Sequence, residues 1–153
     1  MSQALPKPKL GKNFSAAHLG TLADLSQYKF GHAGLPFEIE GKVFLNTLLG
    51  LTGAEISFNK LPPKGGMPFY HQHKRNEEIY LFVKGKGEFQ VDGQTIAVGE
   101  GSVIRVAPNG ERCWRNTSGE PLYYIVVQVP ANGYQGEVTI GDGIAVQKEV
   151  RWD

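Results

Sequence analysis

A chain of 153 residues is long enough for one domain with a real hydrophobic core. Hydrophobic residues at 41% and charged residues at 20% match a soluble globular protein, and a net charge of +1 gives no electrostatic basis for a nucleic-acid or anionic-membrane partner. The single cysteine excludes an internal disulfide and fits a reducing compartment, so a cytoplasmic location is expected.

Residues 1–12 read as an extended arm, because Pro6 and Pro8 exclude a helix there. Met1 to Leu10 lacks the apolar core of a signal peptide. Asn13 to Tyr28 has room for one short helix, capped by Thr21, with Asp24 in its first turn and Leu22 and Leu25 on one side. Gly31 to Pro36 is a loop. From Lys42 onward the pattern is that of strands. Val43-Phe44-Leu45 is the first. Ala54 to Leu61 alternates, with Ile56 and Phe58 on one face and Glu55, Ser57 and Asn59 on the other. Strands follow at Tyr70 to His73, Glu78 to Lys84, Glu88 to Val91, Gln94 to Val98, Ser102 to Val106, Glu111 to Asn116 and Leu122 to Val129. Asp92-Gly93 is the strongest hairpin signal, since both central positions of such a turn take φ > 0. The tail, Gly136 to Trp152, adds two edge strands around Gly141-Asp142-Gly143. The expected organisation is an N-terminal arm at 1–35, a strand-rich domain at 36–130 and an extension at 131–153. No apolar run is long enough to span a bilayer. Short strands joined by tight turns indicate an all-β sandwich or barrel.

The chemistry concentrates between Gly65 and Gly85. His71 and His73 are two apart, so on a strand they point to one face. Glu78 opens the apolar run that follows. Two imidazoles and one carboxylate form a facial metal site with open positions, suited to Fe, Mn, Ni, Co or Zn. Strand parity favours Glu78 over Glu77. If Glu78 faces inward, Tyr80 and Phe82 do so with it. The alternative is that the histidines only line a barrel.

Gly65, His71, His73, Glu78 and Gly85 keep every spacing of the first motif of the cupin family, which the stretch from Val43 to Val129 resembles. A second cupin motif, with a glycine, a Pro-x-Gly turn, a histidine and an asparagine, is similar to Gly101 through Asn116. It departs in three ways. Pro108 lies one residue late after Gly101, Asn116 comes one residue early, and Cys113 stands where the fourth ligand, a histidine, belongs. The resemblance implies a double-stranded β-helix, the jelly-roll barrel, and a divalent transition metal (Fe, Mn, Ni or Zn) held by His71, His73 and Glu78. Cys113 is the fourth candidate ligand. A small buried apolar residue is the alternative role for it, and a reactive thiol beside the metal is a third.

Arg115 shares strand parity with Cys113, so both face the barrel if either does, and an inward Arg115 would bind a carboxylate. Trp114 then points away as a packing residue, while Arg105 and Arg112 read as solvated or interface arginines. Tyr80, Phe82 and Phe69 line the pocket or belong to the core. Ile79, Leu81 and Val83 make the opposite face of their strand apolar as well, so the arm or a second subunit should cover it, and a homodimer is expected. Two functions fit. One is a metal-dependent enzyme of dioxygenase, decarboxylase or isomerase type acting on a small organic acid or metabolite. The other is a non-catalytic small-molecule-binding barrel whose metal site is weakened or lost.

Overall fold

The computed structural model describes residues 3–136 and 140–152. The N-terminal segment carries β1 (Lys9–Leu10) paired with β2 (Ser15–Ala16), a 3-10 helix at Ala23–Gln27, and β3 (Lys29–Phe30) paired with β4 (Ile39–Glu40). The expected helix is therefore one short 3-10 segment. Thr21 does not cap it. Instead the Asp24 carboxylate reaches back and accepts hydrogen bonds from the Thr21 N–H and hydroxyl.

β5 (Lys42–Phe44) leads straight into α1 (Leu45–Leu49), so Leu45 starts a helix rather than ending a strand. The Asn46 side-chain amide holds the turn after α1 by donating to the carbonyls of Leu51 and Ala54. The barrel strands are β6 (Glu55–Leu61), β7 (Asn76–Lys84), β8 (Lys86–Val91), β9 (Gln94–Gly99), β10 (Val103–Val106), β11 (Arg112–Asn116) and β12 (Leu122–Pro130). They form a five-stranded sheet in the order β10-β7-β12-β6-β5 and a three-stranded sheet in the order β11-β8-β9, antiparallel throughout. This is the expected all-β double-stranded β-helix. The β8–β9 hairpin turns at Asp92 (φ 47°) and Gly93 (φ 79°), as the Asp-Gly pair requires. Gly85, between β7 and β8, has φ 100°, and a Cβ there would stand 2.5 Å from the Pro121 carbonyl oxygen.

Tyr70 to His73 is not a strand. His71 makes only an isolated bridge to Arg112 on β11, through backbone hydrogen bonds in both directions at 3.0 and 3.1 Å. Pro68 has no N–H to give a ladder, and the His73 carbonyl is taken by the Asn109 N–H on the loop before β11 (2.7 Å). In the tail, residues 140–152 contain no strand, and residues 137–139 of the expected edge strands lie outside the described residues.

The two sheets close over one core of Tyr80, Phe82, Phe89, Val98, Val106, Trp114, Leu122, Tyr124 and Val126. A second cluster lies on the other face of the five-stranded sheet. Leu25 and Tyr28 from the N-terminal segment, with Val43, Leu45 and Leu48, cover Ile56, Phe58, Val83 and Tyr123. The chain's own N-terminal segment thus buries part of the outer face. Among the described residues no helix is long and apolar enough to cross a membrane.

Candidate metal centre and pocket

The site lies where the segment Gly65–His73 leans on β11 and faces β7. Met67 donates its N–H to the Trp114 carbonyl and Asn116 donates to Gly65, so the segment is tied to β11 at several points. That pairing aims both imidazoles at Glu78. His73 Nε2 stands 3.2 Å from Glu78 Oε1 and His71 Nε2 stands 3.8 Å from Oε2. The two rings lie perpendicular, with centroids 5.5 Å apart. The ligand atoms of His71, His73 and Glu78 all lie within 4.8 Å of one another.

Glu78 is buried, and its two oxygens have different company. Oε2 accepts from Tyr80 Oη and from an Arg112 terminal nitrogen, each at 2.5 Å. Oε1 faces His73 and receives a 3.4 Å contact from Gln128 Nε2. Burial alone would push the Glu78 carboxyl up, but its neighbours His71, Tyr80 and Arg112 outweigh that and hold it well below the ordinary carboxylate range. It is therefore an anion. Burial is also the main influence on His73. It lowers that imidazole despite Glu78 and favours the neutral form that binds metals. Burial and the Glu78 charge push the Tyr80 hydroxyl far up, so it stays a donor.

Arg112 is the residue that sequence reasoning misplaced most. Its side chain is 0% exposed. It gives Nε to Tyr80 Oη at 3.2 Å, one terminal nitrogen to the Gly110 carbonyl at 2.8 Å and the other to Glu78. The expected parity of β11 is reversed. Arg112, Trp114 and Asn116 face the interior, while Cys113 and Arg115 face away. Trp114 sets this frame by stacking on inward-facing Phe89 of β8, with centroids 5.8 Å apart and planes 7° apart. Its large apolar area gains more from burial than a thiol does. Cys113 Sγ contacts the Met67 carbonyl at 3.3 Å and lies outside the histidine cluster, in a separate hollow with Arg115. Arg115 is 67% exposed and pairs with Glu88 (2.6 Å). The available signal was Asn116. Counted back from it, rather than on from Pro108, the place of the motif's histidine falls on Arg112.

A cavity of about 300 Å³ opens in front of the cluster. Tyr80, Phe69 and Trp114 line it, with Lys42, Ser57 and Asn59 from β5 and β6 on the wall. Phe82 does not. It is core, packed against Phe89 and Tyr124.

The donor set fits a divalent transition metal. Two imidazoles and a carboxylate converge, and His71 Nδ1 is buried with no hydrogen-bond partner among the described residues, so the protein does not use both nitrogens of that ring. The guanidinium on Glu78 works against tight binding, because it already offsets the carboxylate's charge.

A family model described as a cupin domain matches residues 58–128. The crystal structure of a cupin protein from Bacteroides fragilis is 42% identical and superposes with a TM-score of 0.65, covering 69% of this chain and 88% of that one. A crystal structure from Thermotoga maritima, described as a predicted oxalate decarboxylase, is 24% identical with a TM-score of 0.53. It covers 61% of this chain and 82% of that one, a likeness of fold. An uncharacterized protein from Methanocaldococcus jannaschii is 26% identical over 73 residues, which is 48% of this chain and 58% of that relative's length.

Proposed function

The chain belongs to the cupin family, and we propose that it is a metal-dependent cupin acting on a small organic acid or related metabolite. His71, His73 and Glu78 hold Fe, Mn, Ni or Zn. The observation that carries this reading is the convergence of three donors within 4.8 Å at the wall of the cavity. A metal bound there supplies a Lewis-acid centre that polarises a substrate oxygen. The chain's own groups prepare it. Arg112 and Tyr80 engage Glu78 Oε2 and leave Oε1 on the side of His73. Trp114, Met67 and Phe69 give the cavity an apolar lining that limits water around a bound molecule. A cavity of about 300 Å³ lies at the small end of ligand sites, which favours a small metabolite. Decarboxylase, dioxygenase and isomerase chemistries all suit such a centre.

A second reading, a barrel that binds a small molecule without turnover, is favoured by Arg112. A guanidinium in the place of the fourth donor cannot ligate a metal and weakens the site. Calorimetric titration of Mn²⁺ and Zn²⁺ into chelator-treated protein tests the metal assignment. Wild type is expected to take up one ion per chain. His73→Ala is expected to bind roughly a hundredfold more weakly or worse, since even outer-shell changes cost ten- to a hundredfold. Equal affinity in the variant would remove His73 from the site and the reading with it.

A further inference from the structure

One strand of the barrel is inside out. On β6 the polar residues Ser57 and Asn59 face the interior and are 2% and 3% exposed, while Ile56 and Phe58 face outward under the N-terminal cluster. Turning hydroxyl and amide groups into a barrel costs free energy unless they are bonded, and departures of this kind concentrate at functional sites. These groups hold Lys42. The neighbouring strand β5 sets Lys42 opposite Asn59 and Phe44 opposite Ser57. Lys42 Nζ donates to Asn59 Oδ1 at 2.7 Å, lies 3.5 Å from Ser57 Oγ and sits 4.6 Å from the centre of the Phe44 ring. The Asn59 amide donates to the Ser57 carbonyl and hydroxyl at 3.0 Å and to the Tyr124 carbonyl at 3.3 Å, which turns its oxygen toward the lysine.

A lysine with a purely structural role ends in water or on a carboxylate. Lys42 does neither. It lines the cavity, and among the described residues no carboxylate lies within ion-pair distance of Nζ. The acidic groups that face it are Glu78 on β7 and Glu55 on β6. Glu78 is engaged by Arg112, and Glu55 accepts the Asn46 N–H at 3.0 Å. The cavity therefore holds a cation whose bonded partners, Asn59 and Ser57, are neutral, and no carboxylate among the described residues touches it. Lys42 and Arg112 together balance Glu55 and Glu78, and a metal dication at the histidines would turn that balance positive.

We infer that Lys42 is the anion anchor of this pocket, taking the carboxylate of a small ligand whose apolar body lies against Phe44, Phe69 and Trp114. This deepens the proposed function, since it rests on the same cavity being the ligand site, but it does not require the metal. Burial lowers the Lys42 pKa to about 8, against the pull of Glu78 and Glu55, so the ammonium is the major form at neutral pH.

The test uses chelator-treated full-length protein and a panel of monocarboxylic acids of about three to eight carbons, straight-chain and aromatic, each beside its neutral amide. At least one acid is expected to bind wild type at least tenfold more tightly than its amide. Lys42→Met should weaken that acid roughly ten- to a hundredfold, the worth of a charged hydrogen bond, and leave the amide unaffected. Lys42→Arg should retain acid binding. In wild type the affinity should fall about tenfold between pH 7 and pH 9, as the amine loses its proton. The pH arm and Lys42→Arg keep the test decisive if Lys42→Met fails to fold. Acids that bind wild type no better than amides, an unchanged affinity in Lys42→Met, or a flat profile from pH 7 to 9 would each overturn the assignment. Because no metal is present, these outcomes are independent of whether His71, His73 and Glu78 bind one.

Discussion

Replacing Arg112 by methionine is expected to lower the unfolding free energy of the barrel by about 3–5 kcal/mol, the cost of breaking a buried ion pair from one side. Methionine keeps much of the side-chain volume, so the loss reports charge and hydrogen bonding rather than a cavity. Three bonds disappear together, to Glu78, to Tyr80 and to the Gly110 carbonyl. The larger effect is on what stays behind. Glu78 remains an anion in a site where burial opposes its charge, with Tyr80, Gln128, the two imidazoles and the more distant Lys42 ammonium left to answer it. An ordinary domain has about 5–15 kcal/mol in hand, so the variant should sit near the edge of folding. Urea denaturation measures this. The double variant Arg112→Met/Glu78→Gln should recover part of the loss, because the stranded charge has gone. Arg112→Met alone, with Glu78 kept, should also tighten divalent-metal binding, since it removes a cation from a ligand carboxylate. A loss below about 1 kcal/mol would mean that the pair is solvated in practice and that Arg112 does not organise the site.

Trp114→Ala should be comparably severe, at about 3–5 kcal/mol. Trp114 is 6% exposed and stands at the centre of an aromatic cluster. It stacks on Phe89 and meets Tyr80 edge-on at 5.1 Å, Tyr124 at 5.8 Å and His71 at 5.9 Å. The indole is thus the shared wall of the core and the cavity. Its removal leaves a void between the two sheets and takes away the surface against which His71 rests. Trp114→Phe keeps the stack on Phe89 and should cost well under half as much. Thermal and urea unfolding of both variants provide the check. Equal stability of wild type and Trp114→Ala would show that β11 does not hold the sheets together through this residue.

The first motif is legible because its chemistry is local. Gly65, His71, His73, Glu78 and Gly85 sit within one segment and the strand after it, so their spacing names the three donors, while pairing with β11 aims them. The strand pattern and the Asp92-Gly93 turn are legible for the same reason, since alternation and left-handed turn residues act over a few positions. What depends on distant contacts is harder to read. On β11 every other residue is apolar or large, and both parities look plausible in isolation. The choice is made by Phe89 on β8, which takes Trp114 as its stacking partner and so brings Arg112 inside and sends Cys113 and Arg115 out. On β6 the alternation separates Ile56 and Phe58 from Ser57 and Asn59, but it tells which residues go together and not which side is the interior. The N-terminal cluster decides it by burying Ile56 and Phe58 from outside. Lys42 escapes notice with them, as its role exists only beside Asn59. Leu45 continues an apolar run but begins α1, where the turn is held by Asn46 contacts that no periodicity announces.

Metal binding at His71, His73 and Glu78, as proposed, is tested most directly by elemental analysis of protein purified without a polyhistidine tag or chelator. Fe, Mn, Ni or Zn is expected to approach one ion per chain, on isolation or after reconstitution, and to be lost in His71→Ala. A wild type that holds no metal even after reconstitution, or a His71→Ala variant that holds as much as wild type, would contradict the proposal.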